Sequence, residues 1–388
     1  MDFELDEAHR MLRDTVHDWA SREIGPIAGE IDRKDDFPMH LWPQMGGLGL
    51  LGVTVPEDQG GSGFDLLAGV LAIEEIARES ASVALSYGAH SNLCVNNLSI
   101  NGTDKQRRRY LPPLISGEAV GALALTEPEA GSDAVGIQTT AVRDGDDYVV
   151  NGSKLFITNG PIASTFVLYA KTAPERGSHG ITAFIVQHDF PGFRVARKLE
   201  KLGHRGSPTA ELRLEDCRVP AANVLGEENN GVAVMMSGLD SERAFLAGEP
   251  IGIAQACLDA SVAYAKERKQ FGQPIGNFQL VQGMLADMYT ELEAARWLVY
   301  RTAALAWKAQ QERSANGRRK VSKEAAASIL YSAEMSTRVA LHAVQIFGGA
   351  GYMAESPVGR YLRDAKLLEI GAGTSEIRRT LIARELLR

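Results

Sequence analysis

Apolar residues recur at helical spacing through the first third of the chain, from about residue 5 to about residue 115. The clearest stripe runs through Leu66, Leu67, Val70, Leu71, Ile73, Ile76 and Ala77. Apolar positions three and four residues apart form one face of an α-helix, and that face packs on a core. The pattern therefore predicts an N-terminal helical domain over residues 1–120.

The middle of the chain changes from helical spacing to short runs rich in β-branched residues. Four such runs cover residues 148–152, 165–169, 181–186 and 211–214, and turn residues separate them. Short runs of this composition between turn signals are typical of β-strands. The pattern predicts a β domain over residues 121–228, in which the strands end near Pro220.

Helical spacing returns after Gly231 and continues towards the C-terminus. One long segment, from about residue 320 to residue 347, stops at Gly348 and Gly349, and glycine is common just beyond a helix C-terminus. This predicts a C-terminal helical domain over residues 229–388. Because helices precede and follow the strands instead of alternating with them, the pattern favours a multidomain α+β fold over a parallel α/β sheet.

Charge and cysteine content exclude several classes of function. The 388 residues carry a formal charge of −8 and the pI is near 5.6, so no net basic field favours nucleic acid or an anionic membrane. Cys94, Cys217 and Cys257 lie far apart, which argues against a disulfide framework and against a zinc site. No metal site and no membrane span are predicted. We expect an intracellular protein, cytoplasmic if bacterial, or in the mitochondrial matrix if it is a processed eukaryotic protein.

One glycine-rich motif resembles a dinucleotide-binding loop. Gly47, Gly49 and Gly52 match the spacing GxGxxG, which cradles a pyrophosphate only between a strand and a helix. No strand pattern precedes these glycines, and residues 52–56 are predicted to form a short extended segment that runs into proline. The motif is therefore interpreted as a structural turn, which removes the main support for a nicotinamide-dependent dehydrogenase.

One segment, which precedes the first predicted β-run, carries residues suited to a flavin. Residues 123–133 supply the Thr126 hydroxyl and free backbone N–H groups, which suit a flavin edge and a phosphate. Together with residues 151–160 and 345–352, this segment resembles the signatures of the acyl-CoA dehydrogenase family. The resemblance covers nearly the whole chain. It implies that the middle domain is a β-barrel or sandwich and that the C-terminal domain is a four-helix bundle.

The family resemblance implies FAD as cofactor. In the middle domain, the residues that would hold it are Leu123, Ala124, Leu125, Thr126, Gly131, Ser132, Phe156, Ile157 and Thr158. In the C-terminal domain they are Arg268, Phe271, Gln279, Gln345, Ile346, Phe347, Gly348, Gly349, Thr374, Ser375 and Glu376. Phe156 stands where the family usually has tryptophan, so an aromatic ring is kept and an indole N–H is lost. In the family, the group from Arg268 to Gly349 reaches the FAD of a neighbouring subunit, which implies a homo-oligomer, expected to be a tetramer built as a dimer of dimers.

The reaction implied by the resemblance needs a carboxylate. Oxidation of an acyl thioester at its α,β bond removes an α-proton while a β-hydride leaves to the flavin. Most of the family has that glutamate where this chain has Ala372, but a minority has it in a Leu-Asp-x-Glu-Arg context, matched here by residues 239–243. Glu242 lies on an apolar helical face, where burial would raise its pKa towards that of a general base. The alternative is a structural glutamate paired with Arg243 or Arg268.

The implied substrate is an acyl-CoA, and several matching segments point to the isovaleryl-CoA branch of the family. The substrate-binding positions carried over are Ser132, Ser178, His179, Ala233, Asp240, Arg243, Ala372 and Gly373. In the family mechanism, the Ala372 N–H and an FAD ribityl hydroxyl hold the thioester carbonyl. Ala233 replaces a bulky tyrosine of that branch. A longer or differently branched acyl group therefore stays open beside a short branched one.

Two other functions remain open at this point. The first is an oxidase of the same family, which returns electrons to O₂. The second is a non-catalytic flavoprotein scaffold, in which Glu242 has only a structural role. For the dehydrogenase, the resemblance implies an electron-transferring flavoprotein as the electron acceptor.

Overall fold

Helices dominate the first part of the computed structural model, which describes residues 4–311 and 317–388 and gives the backbone alone at 317–320. The α-helices are α1 (Glu7–Glu23), α2 (Ala28–Lys34), α3 (Leu41–Gly47), α4 (Leu66–Glu79), α5 (Ala81–Gly88), α6 (Asn97–Asn101) and α7 (Asp104–Ser116). A π-helical segment, Ala89–Asn96, joins α5 to α6. The Asp65 carboxylate caps α4, and Thr103 and Gln106 form a capping box at the start of α7. The predicted N-terminal helices are thus present.

The middle of the chain forms one mixed sheet of eight strands. These are β1 (Gly121–Ala124), β2 (Thr140–Asp144), β3 (Asp147–Thr158), β4 (Thr165–Lys171), β5 (Ile181–Gln187), β6 (Phe193–Lys198), β7 (Thr209–Pro220) and β8 (Val224–Leu225). Their order is β6-β7-β3-β2-β4-β5-β8, with β1 parallel to β4. All four predicted runs lie in strands. The register of β3 against β7 shifts between Lys154 and Ile157, and a bulge of this kind re-aims the side chains beside it.

Long helices form the remainder of the chain. They are α8 (Gly231–Leu246), α9 (Gly248–Glu267), α10 (Gln279–Gln311), α11 (Gly317–Phe347), α12 (Pro357–Leu368) and α13 (Ser375–Leu386). Between α9 and α10 lies a hairpin of β9 (Lys269–Gln270) and β10 (Gln273–Pro274). Helices α9, α10 and α11 pack on one another, and α12 and α13 pack on α11. Gly348 adopts a left-handed φ of 58° directly after α11, as the glycine pair predicted.

The largest apolar cluster passes through all three parts of the chain. It contains Ile73 of α4, Phe166 of β4 and Ile251 of α9, each of them fully buried. Helix α8 contacts β5, the π-helical segment and α11, so it lies where the three parts meet. A side chain on α8 is therefore placed by contacts from all three parts.

The glycine-rich motif near residue 50 is a turn, as predicted. Helix α3 ends at Gly47 and a short 3₁₀ turn, Leu50–Gly52, follows. The predicted extended segment at 52–56 is wrong, however. The Val53 N–H bonds back to the Leu50 carbonyl at 3.2 Å, and the Val55 N–H bonds back to the Gly52 carbonyl at 3.1 Å. These local hydrogen bonds hold the chain in turns although its β-branched residues favour a strand.

Residues 4–311 and 317–388 contain no helix long and apolar enough to cross a membrane. Over the same residues, no three His, Cys, Asp or Glu side chains come together to hold a metal ion. His90 is fully buried, with its Nε2 3.0 Å from the Leu114 carbonyl and its Nδ1 accepting from the Gly121 N–H. Burial lowers the pKa of His90 to about 4, so a neutral core role fits this side chain.

Candidate active site

Glu242 is a carboxylate without a partner. It lies on the last turns of α8, partly buried, and it forms no hydrogen bond or ion pair with any side chain that the structure describes. Its neighbour Arg243 instead bonds to Asp240 at 3.2 Å. Arg268 is exposed at the C-cap of α9. Neither of the two ion pairs that would make Glu242 structural is therefore present.

The surroundings of Glu242 tune it for proton transfer. Burial raises the pKa of Glu242 to about 7, against the opposing effect of the positive charges of Arg243 and Arg378. A carboxylate removed from water pays a desolvation cost only in its ionised form, which explains the direction. A group with a pKa near 7 accepts and releases a proton readily at neutral pH, as a general base must.

The turn at residues 371–373 is tied to α8 at Arg243, the residue after Glu242. Ala372 has a left-handed φ of 53°, which is uncommon for a residue with a Cβ, and Gly373 follows with a φ of 95°. The Ala372 carbonyl accepts from Arg243 Nε at 3.3 Å, which ties the turn to α8. The Ala372 N–H has no acceptor among the described residues. One free backbone donor and one unpaired carboxylate are thus held together through Arg243.

A second group of residues suits the edge and face of a flavin. The Leu155 N–H bonds to the Thr126 carbonyl at 2.8 Å, which holds the loop after β1 against β3. Phe156 stands on the bulge of β3 with a φ of 60°, and 64% of its surface is exposed. The hydroxyls of Thr126 and Thr158 are only partly buried and make no hydrogen bond among the described residues. An exposed ring beside free hydroxyl groups fits an isoalloxazine.

A buried ion pair holds the loop after β1 in place. Lys154 Nζ lies 2.7 Å from Glu127 Oε1, and the two side chains are 0% and 4% exposed. Glu127 also accepts from the Thr139 hydroxyl and the Thr139 N–H, and Lys154 donates to the Leu125 carbonyl at 3.2 Å. The pair therefore anchors the segment that carries Thr126.

Most of the residues expected to reach a neighbouring subunit are exposed at helix ends or on the β9–β10 hairpin, whereas Ile346 is buried. Phe271 and Gly272, with φ of 51° and 79°, form the tip of the β9–β10 hairpin, and Phe271 is 93% exposed. Phe347 stacks on Tyr264 of α9 with ring centroids 4.2 Å apart, which holds the end of α11 against the end of α9. A turn that exposes an aromatic ring to solvent in a single chain fits a contact outside that chain.

Three family models match consecutive parts of the chain: the acyl-CoA dehydrogenase N-terminal domain over residues 6–118, the middle domain over 122–217 and the C-terminal domain over 229–387. The chain belongs to the acyl-CoA dehydrogenase family. It is 53% identical over 384 residues to the mitochondrial isovaleryl-CoA dehydrogenase of Pongo abelii, which covers 98% of this chain and 89% of that protein. A mitochondrial 2-methylacyl-CoA dehydrogenase of Solanum tuberosum is 50% identical over 98% of this chain and 91% of that protein.

Solved structures agree with this assignment. Butyryl-CoA dehydrogenase from Megasphaera elsdenii superposes with a TM-score of 0.95 at 40% identity over all of both chains. A chain from a structure of the electron transferring flavoprotein of Acidaminococcus fermentans gives 0.96 at 41% identity, again over all of both chains. PigA with FAD and proline gives 0.93 at 31% identity, over 100% of this chain and 99% of that one. The predicted family, fold class, FAD and enzyme class are confirmed.

Helix α13 of this acyl-CoA dehydrogenase begins at a predicted cofactor contact. Thr374 is its N-cap and accepts from the Ile377 N–H at 3.4 Å, while Glu376 is exposed in the first turn. Ser375 is buried and its hydroxyl has no partner among the described residues. A free hydroxyl at a helix N-terminus suits an anionic or polar group of a cofactor.

The remaining predicted residues of this acyl-CoA dehydrogenase are spread over several elements. Leu123 and Ala124 lie in β1 and Ile157 in β3, whereas Gly131 and Ser132 lie in an exposed loop. Ser178 and His179 belong to an irregular segment at Pro174–Gly180, in which His179 is exposed.

Ala233, a predicted substrate-binding residue, lies on the other side of α8 from Glu242. It is exposed near the start of α8, nine residues before Glu242. At about 100° per residue, nine residues put the two side chains on opposite sides of the helix. The structure therefore does not bring Ala233 to Glu242, and the inference that Ala233 sets the size of the acyl pocket gains no support.

Sequence reasoning did not predict the burial of two charged residues of the C-terminal helices, Glu249 and Arg378. Glu249 is fully buried, with Oε1 2.6 Å from His204 Nε2, so the nearest glutamate along the chain is already engaged. Arg378 of α13 is 1% exposed. The spacing of apolar residues offers no signal for either, because each is buried by contacts with residues distant in sequence.

Proposed function

We propose that this chain catalyses α,β-dehydrogenation of an acyl-CoA thioester to the 2-enoyl-CoA, with Glu242 as the acceptor of the α-proton. The observation that carries the proposal is the unpaired carboxylate of Glu242, whose pKa burial raises to about 7, on the helix whose Arg243 holds a turn with a free N–H. When bound, FAD supplies the acceptor for the β-hydride. A general base tuned to neutral pH and free of a direct ion pair is what removal of a weakly acidic α-proton requires.

Each residue at the turn has a separate task in this proposal. The Ala372 N–H donates to the thioester carbonyl and so stabilises the negative charge that develops when the α-proton leaves. Arg243 holds Ala372 by its carbonyl, which fixes the turn against α8. Glu242 then holds the proton. Asp240 fixes Arg243 and is not a proton acceptor in this scheme.

We infer that FAD lies against the loop after β1 and the bulge of β3. Thr126 and Thr158 would supply hydroxyl groups and Phe156 an aromatic ring for the flavin, and the exposed N–H groups of Gly131 and Ser132 would suit a phosphate. Arg268 and the hairpin tip would hold the FAD of the partner subunit, since Arg268 presents a free fork of donors. A homo-oligomer follows from this arrangement, and we propose a tetramer.

The substrate proposed is a short branched acyl-CoA. Its support is the likeness to an isovaleryl-CoA dehydrogenase and to a 2-methylacyl-CoA dehydrogenase, which differ in where the branch lies. The electron acceptor proposed is an electron-transferring flavoprotein, and leucine catabolism is the process in which isovaleryl-CoA dehydrogenation belongs. The relatives include mitochondrial and Bacillus subtilis proteins, so either the mitochondrial matrix or the bacterial cytoplasm fits.

The central test replaces Glu242 by glutamine. The variant keeps the shape of the side chain and loses the proton acceptor, so FAD and acyl-CoA should still bind while flavin reduction falls by at least about 10²–10⁴-fold. Anaerobic mixing with isovaleryl-CoA, followed by loss of flavin absorbance, measures this rate. Glu249→Gln is the matched control, because glutamine can still accept from His204, and it should keep the wild-type rate. Rapid bleaching of the Glu242→Gln protein would overturn the proposal.

A screen of CoA thioesters separates the competing functions. Anaerobic bleaching of the wild-type flavin by any acyl-CoA excludes a scaffold without catalysis. Admission of air to the reduced enzyme then distinguishes the oxidase, which reoxidises rapidly, from the dehydrogenase, which stays reduced until an electron-transferring flavoprotein is added. The thioester that bleaches fastest identifies the acyl group.

A further inference from the structure

Arg378 is a charged side chain that is almost completely buried. It lies in the second turn of α13, 1% exposed, with Nη1 2.9 Å from the Leu368 carbonyl and Nη2 on the Gly371 carbonyl. Its Nε has no partner, and no carboxylate of the described residues forms an ion pair with it. Burial of a cation without a counter-ion costs free energy of folding. We therefore expect Arg378 to have a role that offsets this cost.

The two backbone contacts of Arg378 lead to the candidate site. Gly371 begins the left-handed turn that contains Ala372, and Arg243 holds the Ala372 carbonyl from α8. Two guanidinium groups from two helices therefore hold consecutive carbonyl groups of one turn. Since Ala372 has a φ of 53°, the turn keeps this strained conformation only while its surroundings hold it.

We infer that Arg378 is a positioning residue for Glu242: it holds the turn at residues 371–373 and supplies the cation that stabilises ionised Glu242. This inference rests on the proposed role of Glu242 as the α-proton acceptor. It adds a residue that acts through the base and the turn without contact with the reacting atoms.

Three carboxylates interact electrostatically with Arg378, and two of them already have cation partners. Glu334 of α11 pairs with Arg379 at 2.6 Å. Glu369, beyond α12, pairs with Lys366 at 2.7 Å. Glu242 is the third nearby carboxylate, and it has no cation partner among the described residues. The uncompensated cation on α13 and the uncompensated anion on α8 thus interact electrostatically, and both elements pack on α11.

The groups that face Glu242 come from three elements. Arg243 on α8 is already compensated by Asp240, Arg378 on α13 is not, and Tyr169 on β4 presents a phenol whose pKa burial raises, with a further rise from the charge of Glu242. Burial and the charge of Arg243 lower the pKa of Arg378 to about 10, while Glu242 raises it. Arg378 therefore stays charged throughout the neutral range.

Two variants separate the charge of Arg378 from its hydrogen bonds. Arg378→Gln removes the positive charge and keeps one N–H donor group. Arg378→Lys keeps the charge but loses the planar guanidinium that donates to two carbonyl groups at once. The matched control is Arg379→Gln, next along the chain, whose side chain is 53% exposed and paired with Glu334. All three are compared with wild-type enzyme as FAD-loaded protein. The rate of flavin reduction by isovaleryl-CoA is measured anaerobically across pH, and the Glu242 carboxyl is titrated by infrared difference spectroscopy against Glu242→Gln protein.

Loss of a nearby opposite charge disfavours the ionised carboxylate. In Arg378→Gln, the acid limb of the rate profile and the infrared titration should therefore both move up by about one pH unit. The rate at pH 6 should fall about tenfold, with rates converging towards wild type at high pH. Arg378→Lys and Arg379→Gln should keep the wild-type limb. A merely structural role would lower the rate at every pH and leave the limb in place, which would overturn the inference.

The remaining outcomes also decide the question. An equal upward shift in the lysine and glutamine variants would show that charge is not the cause, and would overturn the inference. If Arg378→Gln does not accumulate as folded protein, Arg378→Met is measured in its place, because it also lacks the charge. A raised limb in it supports the inference and a wild-type limb overturns it. Bleaching of the Glu242→Gln protein would instead defeat the proposed function, whereas an inactive Glu242→Gln with an unshifted Arg378→Gln would defeat this inference only.

Discussion

Replacing Lys154 by methionine removes the cation of the buried pair beneath the Thr126 loop. The Glu127 carboxylate would remain 4% exposed without its partner at 2.7 Å. Loss of one member of a buried ion pair typically costs about 3–5 kcal/mol, because the other charge stays desolvated. Three donors to Glu127 remain, from the Thr139 hydroxyl and the N–H groups of Gln138 and Thr139, so we expect the lower end, about 3 kcal/mol.

Urea unfolding followed by circular dichroism measures this loss, and retention of flavin after gel filtration measures its effect on the loop. Lys105→Met, on the exposed face of α7, is the matched control and should change neither quantity. The double variant Glu127→Gln with Lys154→Met removes the buried charge altogether, so it should recover part of the stability lost in the single variant. A single variant destabilised by less than about 1 kcal/mol, with full flavin content, would refute the argument.

Three further predictions concern the site. The pKa of Glu242 is raised to about 7, and the ionised form is the active one. The rate of flavin reduction should therefore be highest above pH 8 and fall about tenfold per pH unit below pH 6. A rate that does not change with pH would contradict this. Arg268→Ala should reduce flavin retention, measured as the absorbance ratio of flavin to protein, together with oligomer content by analytical ultracentrifugation; a fully flavinated oligomer would contradict the interface proposal. Ala233→Tyr should leave the ranking of acyl-CoA substrates by kcat/KM unchanged, because residue 233 is exposed on the other side of α8 from Glu242. A shift towards short branched substrates would instead support the sequence-based interpretation of Ala233.

Local pattern predicted the helical or β character of each third of the chain and several of its elements, while the chemistry came from the resemblance to a family. The stripe through Leu66 and Ile73 predicted α4, the β-branched runs predicted strands, and Gly348 ended the long helix where expected. The same spacing put Glu242 on the apolar side of α8. These features depend on neighbours within a few residues, whose geometry a helix or a strand repeats at a constant period.

The electrostatic partners were decided only by the tertiary structure. Lys154 meets Glu127 across 27 residues, and His204 meets Glu249 across 45. Periodicity did not predict the burial of Arg378, nor that Glu242 stays unpaired while Arg243 turns to Asp240. The extended segment predicted at residues 52–56 is a turn for the same kind of reason. Whether a charge is paired or left alone depends on which distant elements the core brings together, and no local repeat along the chain contains that information.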